Sequence, residues 1–217
     1  MMMMGLQKFL RLAALGSLLI GTAPMAAQAA ASIQLTDAQS ASIQHISDYI
    51  NSFTSLQGEF TQVSPKGNLS RGVFYISKPG KMRFDYAPPN PFLIVADGKW
   101  LTIKNRAKEK GDQFPLSQTP LRLVLSRNVD LLRDTDILAF QEQDGLTSVT
   151  LEDKGGTLGG TLMLVFDQKQ KALQQWVVID SKNRRTTVTL DKIVAGIKAD
   201  PQLFVVKIDR KERDSPR

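Results

Sequence analysis

Residues 72–86 have the sequence GVFYISKPGKMRFDY, which predicts two β-strands joined by a tight turn. Pro79 and Gly80 favour the turn, because proline fixes its own φ and glycine tolerates a positive φ. Beyond the turn, apolar and charged residues alternate, which is the pattern of a strand with one buried face. The predicted buried face carries Met82, Phe84 and Tyr86, and the opposite face carries Arg83 and Asp85.

The same alternation continues on both sides of this hairpin. Asp97-Gly98 lies between two further apolar runs and is a strong signal for a hairpin turn. The predicted strands cover residues 56–62, 69–76, 82–86, 92–96, 99–103, 137–143, 146–151, 162–166, 173–179, 186–193 and 204–208, with a polar loop at 104–112. Their even spacing favours an antiparallel sheet that curls into a barrel or half-barrel.

Three helical segments are predicted within this strand-rich chain. The sequence TDAQ at 36–39 is a capping box, and an apolar stripe at helical spacing predicts a helix over 36–53. A proline at the first helical position predicts a second helical region over 120–132. A short helical turn is expected at 200–203. Each segment has an apolar side, so we expect all three to cover the concave face of the sheet.

Composition narrows the classes of function. The chain has 217 residues, 42% of them hydrophobic, with 28 Lys and Arg against 21 Asp and Glu. It has no cysteine and one histidine, His45, which excludes disulfides, thiolate sites and schemes that need two histidines. We therefore expect no catalytic residues, no metal and no other cofactor, and we interpret His45 as a solvated helix residue.

The N-terminus has the features of a secretory signal peptide. Lys8 and Arg11 precede an apolar run at 12–20 that is shorter than a membrane-spanning helix, and Ala27-Gln28-Ala29 fits a cleavage site. We expect residues 1–31 to be removed, although an uncleaved anchor is the alternative. The mature chain, 32–217, is then a single exported domain, a monomer, with a short charged tail.

Two other ligand classes are disfavoured. The glycine-rich run at 155–160 lacks the lysine and serine or threonine of a phosphate loop, and a strand rather than a helix follows it. Basic and aromatic residues interleave over 66–86, a pattern that also occurs in proteins that bind single-stranded nucleic acid. Because an exported protein meets little nucleic acid, we expect no nucleic-acid partner.

A strongly curved sheet has a concave face that must be filled or covered. The apolar residues expected there form either an ordinary core or the lining of a ligand cavity. The candidate cavity-lining residues are Phe60, Phe74, Met82, Phe84, Val95, Trp100, Leu121, Leu125, Phe166 and Trp176.

Several short motifs accompany the 72–86 hairpin. They are GEFTQ at 58–62, PP at 88–89, LIVADGK at 93–99 and TPL at 119–121. Their order and spacing, behind a signal peptide, resemble the periplasmic outer-membrane lipoprotein carrier (LolA-type) family from Thr36 to about Ile208. The resemblance implies an incomplete antiparallel barrel under a helical lid, around a hydrophobic cavity for acyl chains.

The resemblance also implies a function and partners. Such a protein is a non-enzymatic chaperone that takes acylated lipoproteins from an inner-membrane ABC transporter and passes them to an outer-membrane receptor. The family places an arginine that latches the lid where this chain has Lys78, and lysine lacks the planar fork of arginine. Arg83 is the alternative latch residue. A lipoprotein-sensing or lipid-sensing regulatory module of the same fold is the alternative function.

Overall fold

The computed structural model describes residues 32–108, 110–155 and 160–207. The predicted signal peptide, residues 156–159 of the glycine-rich run and the tail from residue 208 lie outside these ranges. The helices are α1 Asp37–Asn51, α2 Leu121–Leu125 and α3 Leu131–Asp134. The strands are β1 Ser55–Val63, β2 Leu69–Ser77, β3 Lys81–Tyr86, β4 Phe92–Asp97, β5 Trp100–Asn105, β6 Lys110–Pro115, β7 Thr135–Gln143, β8 Leu146–Asp153, β9 Thr161–Asp167, β10 Ala172–Ile179 and β11 Arg185–Ala195.

All of these strands belong to one antiparallel sheet in the order β6-β5-β4-β3-β2-β1-β11-β10-β9-β8-β7. Each half of the chain folds as a meander, and the two meanders join where β1 pairs with β11. The outer strands, β6 and β7, do not pair with each other, so the curved sheet stays open. The predicted curved antiparallel sheet is therefore confirmed. The helices α2 and α3 occupy the connection between the two open edges.

Two glycines in neighbouring strands make room for aromatic rings. A Cβ atom on Gly72 would lie 2.6 Å from the Phe60 ring, and one on Gly58 would lie 2.7 Å from the Phe74 ring. Both approaches are too close for any residue with a side chain, so glycine is required where the rings cross the strands. The rings of Phe60 and Phe74 thus pack against these glycines, and both side chains are buried.

Helix α1 begins at its predicted capping box. The Thr36 hydroxyl accepts from the Gln39 amide at 3.2 Å, and the Gln39 side chain accepts from the Thr36 amide at 2.9 Å. The apolar stripe of α1 is buried on the concave side of the sheet, with Ile43, Ile46 and Ile50 inaccessible to solvent. Local sequence signals are sufficient for this helix, since both its cap and its stripe lie within it.

The second predicted helical region is divided. It forms α2 and α3 with non-helical residues 126–130 between them. The Asn51 side chain donates to the Val129 carbonyl and accepts from the Val129 amide, both at 2.8 Å. These two bonds satisfy backbone groups that a continuous helix would use internally, and they join α1 to the α2–α3 connection.

Two sequence predictions are wrong. The segment 104–112, interpreted as a polar loop, overlaps the end of β5 and the start of β6, and β6 pairs with β5 from Trp100↔Pro115 to Asn105↔Lys110. The expected strand at 204–208 is absent from its described part, where Phe204 ends a 3-10 turn and residues 205–207 are not in a strand. This turn covers the outer face of β3 and β4 instead of the concave face.

Candidate functional site

The concave face of the sheet is apolar and lies beneath α1, α2 and α3, which we call the helical cover. The cover and the sheet contribute to one continuous core of buried side chains. Seven predicted cavity-lining residues meet in this core, and Leu121 lies partly buried beside it. The seven are Phe60, Phe74, Met82, Phe84, Leu125, Phe166 and Trp176.

Phe84 is the centre of an aromatic cluster on this face. Its ring centroid lies 4.6 Å from that of Phe60, 5.7 Å from that of Phe74 and 5.7 Å from that of Trp176. Phe60 also meets the Tyr86 ring edge to face at 5.0 Å. These separations are those of favourable aromatic pairs. The cluster gives the concave face a large apolar surface that the helical cover keeps from water.

Val95 and Trp100 do not lie on this face. The register pairs Met82 with Ala96 and Ala96 with Leu101, so Ala96 and Leu101 face the core. Val95 packs on the outer face with Phe204, and Trp100 belongs to neither buried cluster. Successive side chains of a strand point to opposite faces. Val95 and Trp100, which directly precede Ala96 and Leu101, therefore point away from the helical cover.

Lys78 directly follows β2 and reaches the helical cover. Its ammonium Nζ donates to the Ile50 carbonyl oxygen at 2.5 Å and lies 4.8 Å from the centroid of the Phe53 ring. Its backbone amide donates to the Thr54 carbonyl at 2.7 Å. Burial lowers the pKa of Lys78 from 10.5 to about 8. The environment therefore disfavours the charged form, even though the ammonium has an acceptor.

The turn after Lys78 makes a second contact with the cover. The Gly80 amide donates to the Leu125 carbonyl, at the end of α2, at 2.8 Å. Gly80 has a φ of +76°, a conformation that glycine adopts without strain. One turn of the sheet thus holds the ends of both α1 and α2. On the other side of the cover, Arg122 of α2 forms an ion pair with the buried Asp153 of β8.

Arg83, the alternative latch residue, faces away from the cover. It pairs with Asp85 at 2.6 Å and donates to the Leu203 carbonyl at 3.0 Å. Arg106 binds the other Asp85 oxygen at 2.6 Å. Burial raises the pKa of Asp85, but the hydrogen bonds and charges of the two arginines outweigh burial and leave it below its ordinary value. Arg83 thus anchors the C-terminal turn to the outer face.

Sequence reasoning missed a groove of about 580 Å³ on the flank of α1. Its walls come from α1 and Ser52 after it, and from the ends of β8 and β9 with the turn between β9 and β10, which are distant from α1 in the chain. The lining residues are Ser42, His45, Asp48, Tyr49, Ser52, Thr147, Phe166, Gln168 and Lys171. No motif in the sequence links these residues.

The residues that the structure describes contain no cluster of three or more histidine or acidic side chains placed to hold a metal ion. No helix within the same ranges has both the length and the apolar character needed to cross a membrane.

Two curated proteins resemble this chain in sequence. The chain is 26% identical over 181 residues to the outer-membrane lipoprotein carrier protein of Chromohalobacter salexigens, covering 79% of this chain and 85% of that protein. It is 24% identical over 186 residues to the protein of the same name from Coxiella burnetii, covering 81% and 87%.

A solved structure of a LolA superfamily protein from Nitrosomonas europaea has a TM-score of 0.43 and 11% identity, and the match covers 76% of this chain and 97% of that one. The profile of the family described as outer membrane lipoprotein carrier protein LolA matches residues 51–207. This match spans well over half of the chain and includes β1 to β11, α2 and α3. The protein therefore belongs to the LolA family of outer membrane lipoprotein carrier proteins.

Proposed function

We propose that this protein is a non-enzymatic periplasmic chaperone that carries lipoproteins from the inner to the outer membrane. The acyl chains bind between the helical cover and the concave face of the sheet. The observation that carries this proposal is the aromatic concave face around Phe84, which lies beneath the helical cover. Polar contacts at Lys78, Gly80 and Arg122 join this cover to the sheet.

Affinity must be limited for a carrier to release its cargo. Burial of an acyl chain contributes ~0.8 kcal/mol per CH₂ group, so a long chain in a rigid cavity would be trapped. Closing the cover over Lys78 removes its ammonium partly from water, and this desolvation opposes closure. Lys78 therefore positions the closed cover through Ile50 while keeping the closed state easy to open.

The family membership and the predicted signal peptide support the following partners. Residues 1–31 direct export, an inner-membrane ABC transporter supplies acylated lipoproteins, and an outer-membrane receptor accepts them. Differences in affinity along this sequence of partners drive transfer. The candidate lining residues of the concave face bind the chains, and Lys78, at the family's latch position, sets where the cover closes without holding it tightly shut.

Purification from cell envelopes tests this proposal. Mass spectrometry of molecules that co-purify with the protein should identify acylated lipoproteins, and N-terminal sequencing should find Ala30, Ala31 or Ser32 as the first residue. A protein that carries no lipoprotein under these conditions contradicts the carrier function. A protein that retains residues 1–29 contradicts the predicted export by a cleaved signal peptide.

A further inference from the structure

The groove on the flank of α1 adjoins the apolar interior through two aromatic side chains. Tyr49 and Phe166 both line the groove, and both pack against the core under the helical cover. Their rings meet edge to face with centroids 5.4 Å apart. The two rings thus separate the groove from the interior.

The Tyr49 ring is held by its hydroxyl and by a neighbouring ring. A backbone hydrogen bond from Leu173 reaches the hydroxyl, and burial of this group raises the pKa of Tyr49 despite that bond. On its other side, the Tyr49 centroid lies 5.6 Å from that of Phe53, the ring beneath the Lys78 ammonium. A displacement of Tyr49 would therefore disturb the contacts that hold the end of α1 to the sheet.

The chemistry of the groove selects a neutral ligand. Its rim carries one acidic residue, Asp48, and one basic residue, Lys171. Because these charges have opposite signs, the groove does not favour an anion or a cation. His45 can donate a hydrogen bond from its ring, and the Gln168 amide nitrogen, which donates one N–H to the Thr147 hydroxyl at 2.8 Å, keeps a second N–H. These two donors suit the carbonyl of an ester or amide. Aromatic walls and a few polar groups, in a volume of about 580 Å³, are typical of sites for small apolar ligands.

We propose that this groove is the portal through which an acyl chain, led by its methyl end, passes into the interior, while His45 and Gln168 bind the ester or amide carbonyl that follows. Tyr49 closes the portal by packing on Phe166. This inference rests on the proposed acyl-binding function and specifies the route by which the ligand reaches that site.

Site-specific blocking tests the route. Because the chain has no cysteine, His45→Cys and Gln44→Cys each introduce a single thiol on α1. Position 45 lines the groove, whereas Gln44 is exposed outside it. After both variants are coupled to a bulky maleimide, stopped-flow fluorescence follows the uptake of a fluorescent palmitoyl ester. We expect uptake to slow at least tenfold at position 45 and to stay at the wild-type rate at position 44. Equal rates for the two labelled variants overturn the portal.

Tyr49→Phe tests the closing side chain, since it keeps the ring and removes the hydroxyl. Uptake and release should both accelerate by about two- to tenfold, the range of one neutral hydrogen bond. Unchanged rates overturn the role of Tyr49. A wild-type protein that takes up no probe contradicts the proposed function itself. Normal uptake that changes neither with the label at position 45 nor with Tyr49→Phe contradicts the portal alone.

Discussion

The Lys78 ammonium donates to the Ile50 carbonyl oxygen at 2.5 Å, and this contact joins the end of β2 to the end of α1. Ile50 belongs to the buried stripe of the helix, so the bond fixes the position at which the helical cover meets the sheet. The donor is a half-buried charge, and the acceptor is one of the last carbonyls of a helix, where a cation is favoured. The contact thus combines a directional hydrogen bond with a desolvation cost.

Lys78→Met removes both the hydrogen bond and the buried charge. Since the environment disfavours the charged form of Lys78, we expect this change to stabilise the closed state by about 1 kcal/mol. The expected stabilisation is small because the ammonium is partly exposed, and solvent screens its charge. Transfer of cargo to the receptor should then slow by about fivefold, the equivalent of that free energy. Lys99→Met is the matched control, because it removes the same charge at an exposed position of a neighbouring turn. Equal transfer rates for wild type and Lys78→Met would show that Lys78 has no part in release.

The stability of the protein should depend on pH through Lys78. Burial lowers the pKa of Lys78 from 10.5 to about 8 in the folded chain. Between these values the unfolded chain holds the proton and the folded chain has released it, so stability rises with pH across this window. The free energy of unfolding of wild type minus that of Lys78→Met should therefore be constant below pH 8 and increase above it. Urea denaturation at several pH values measures this difference, and a constant value up to pH 10.5 would contradict the lowered pKa.

Arg83→Met should release the C-terminal turn without affecting the interior. The change removes a charged hydrogen bond to the Leu203 carbonyl, a contact worth about 1.5–3 kcal/mol. Hydrogen exchange at Leu203 and Val205 should accelerate, while the affinity for an acyl probe stays the same. Arg184→Met is the control, since it breaks an exposed pair with Asp180. A loss of acyl affinity in Arg83→Met would reinstate Arg83 as a latch.

Asn51→Ala should loosen the helical cover. It leaves the amide and carbonyl of Val129 without the partners that the Asn51 side chain supplies, at a cost of about 1–3 kcal/mol. Chemical denaturation should show this loss, and Gln44→Ala, which removes a bond between exposed side chains of the same helix, should show less than about 0.5 kcal/mol. Equal stabilities of the two variants would mean that the Asn51 bonds do not hold the cover together.

Local patterns in the sequence predict most of the sheet and α1, because alternation, turn residues and a capping box act over a few residues. They fail where structure depends on distant partners. Residues 110–115 have no alternation, and they form β6 because the backbone of β5 offers an unpaired edge. In β4 the run Leu93 to Ala96 is apolar throughout, because the core covers one face and Phe204 covers the other. The sequence of β4 therefore has no alternation of apolar and polar residues that would predict that Val95 faces outward.

The candidate site was predictable in part. Phe60 and Phe84 lie in strands with clear alternation of apolar and polar residues, and the structure brings them together with Trp176. The acceptor of Lys78 is a backbone oxygen, which no residue type in the sequence can indicate. The groove at Tyr49 was missed for a related reason, since its walls meet only when β8, β9 and the turn after β9 lie beside α1.

The two tryptophans of the chain provide the most direct test of acyl binding beneath the helical cover. Trp176 is buried beside Phe84 on the concave face, whereas Trp100 lies outside this cluster. Trp100→Phe leaves only the inner tryptophan, and Trp176→Phe leaves only the outer one. Titration with a brominated stearic acid, whose bromine quenches tryptophan fluorescence at short range, should quench Trp176 saturably and leave Trp100 unaffected. Quenching of Trp100 alone, or of neither tryptophan, would contradict acyl binding between the cover and the sheet.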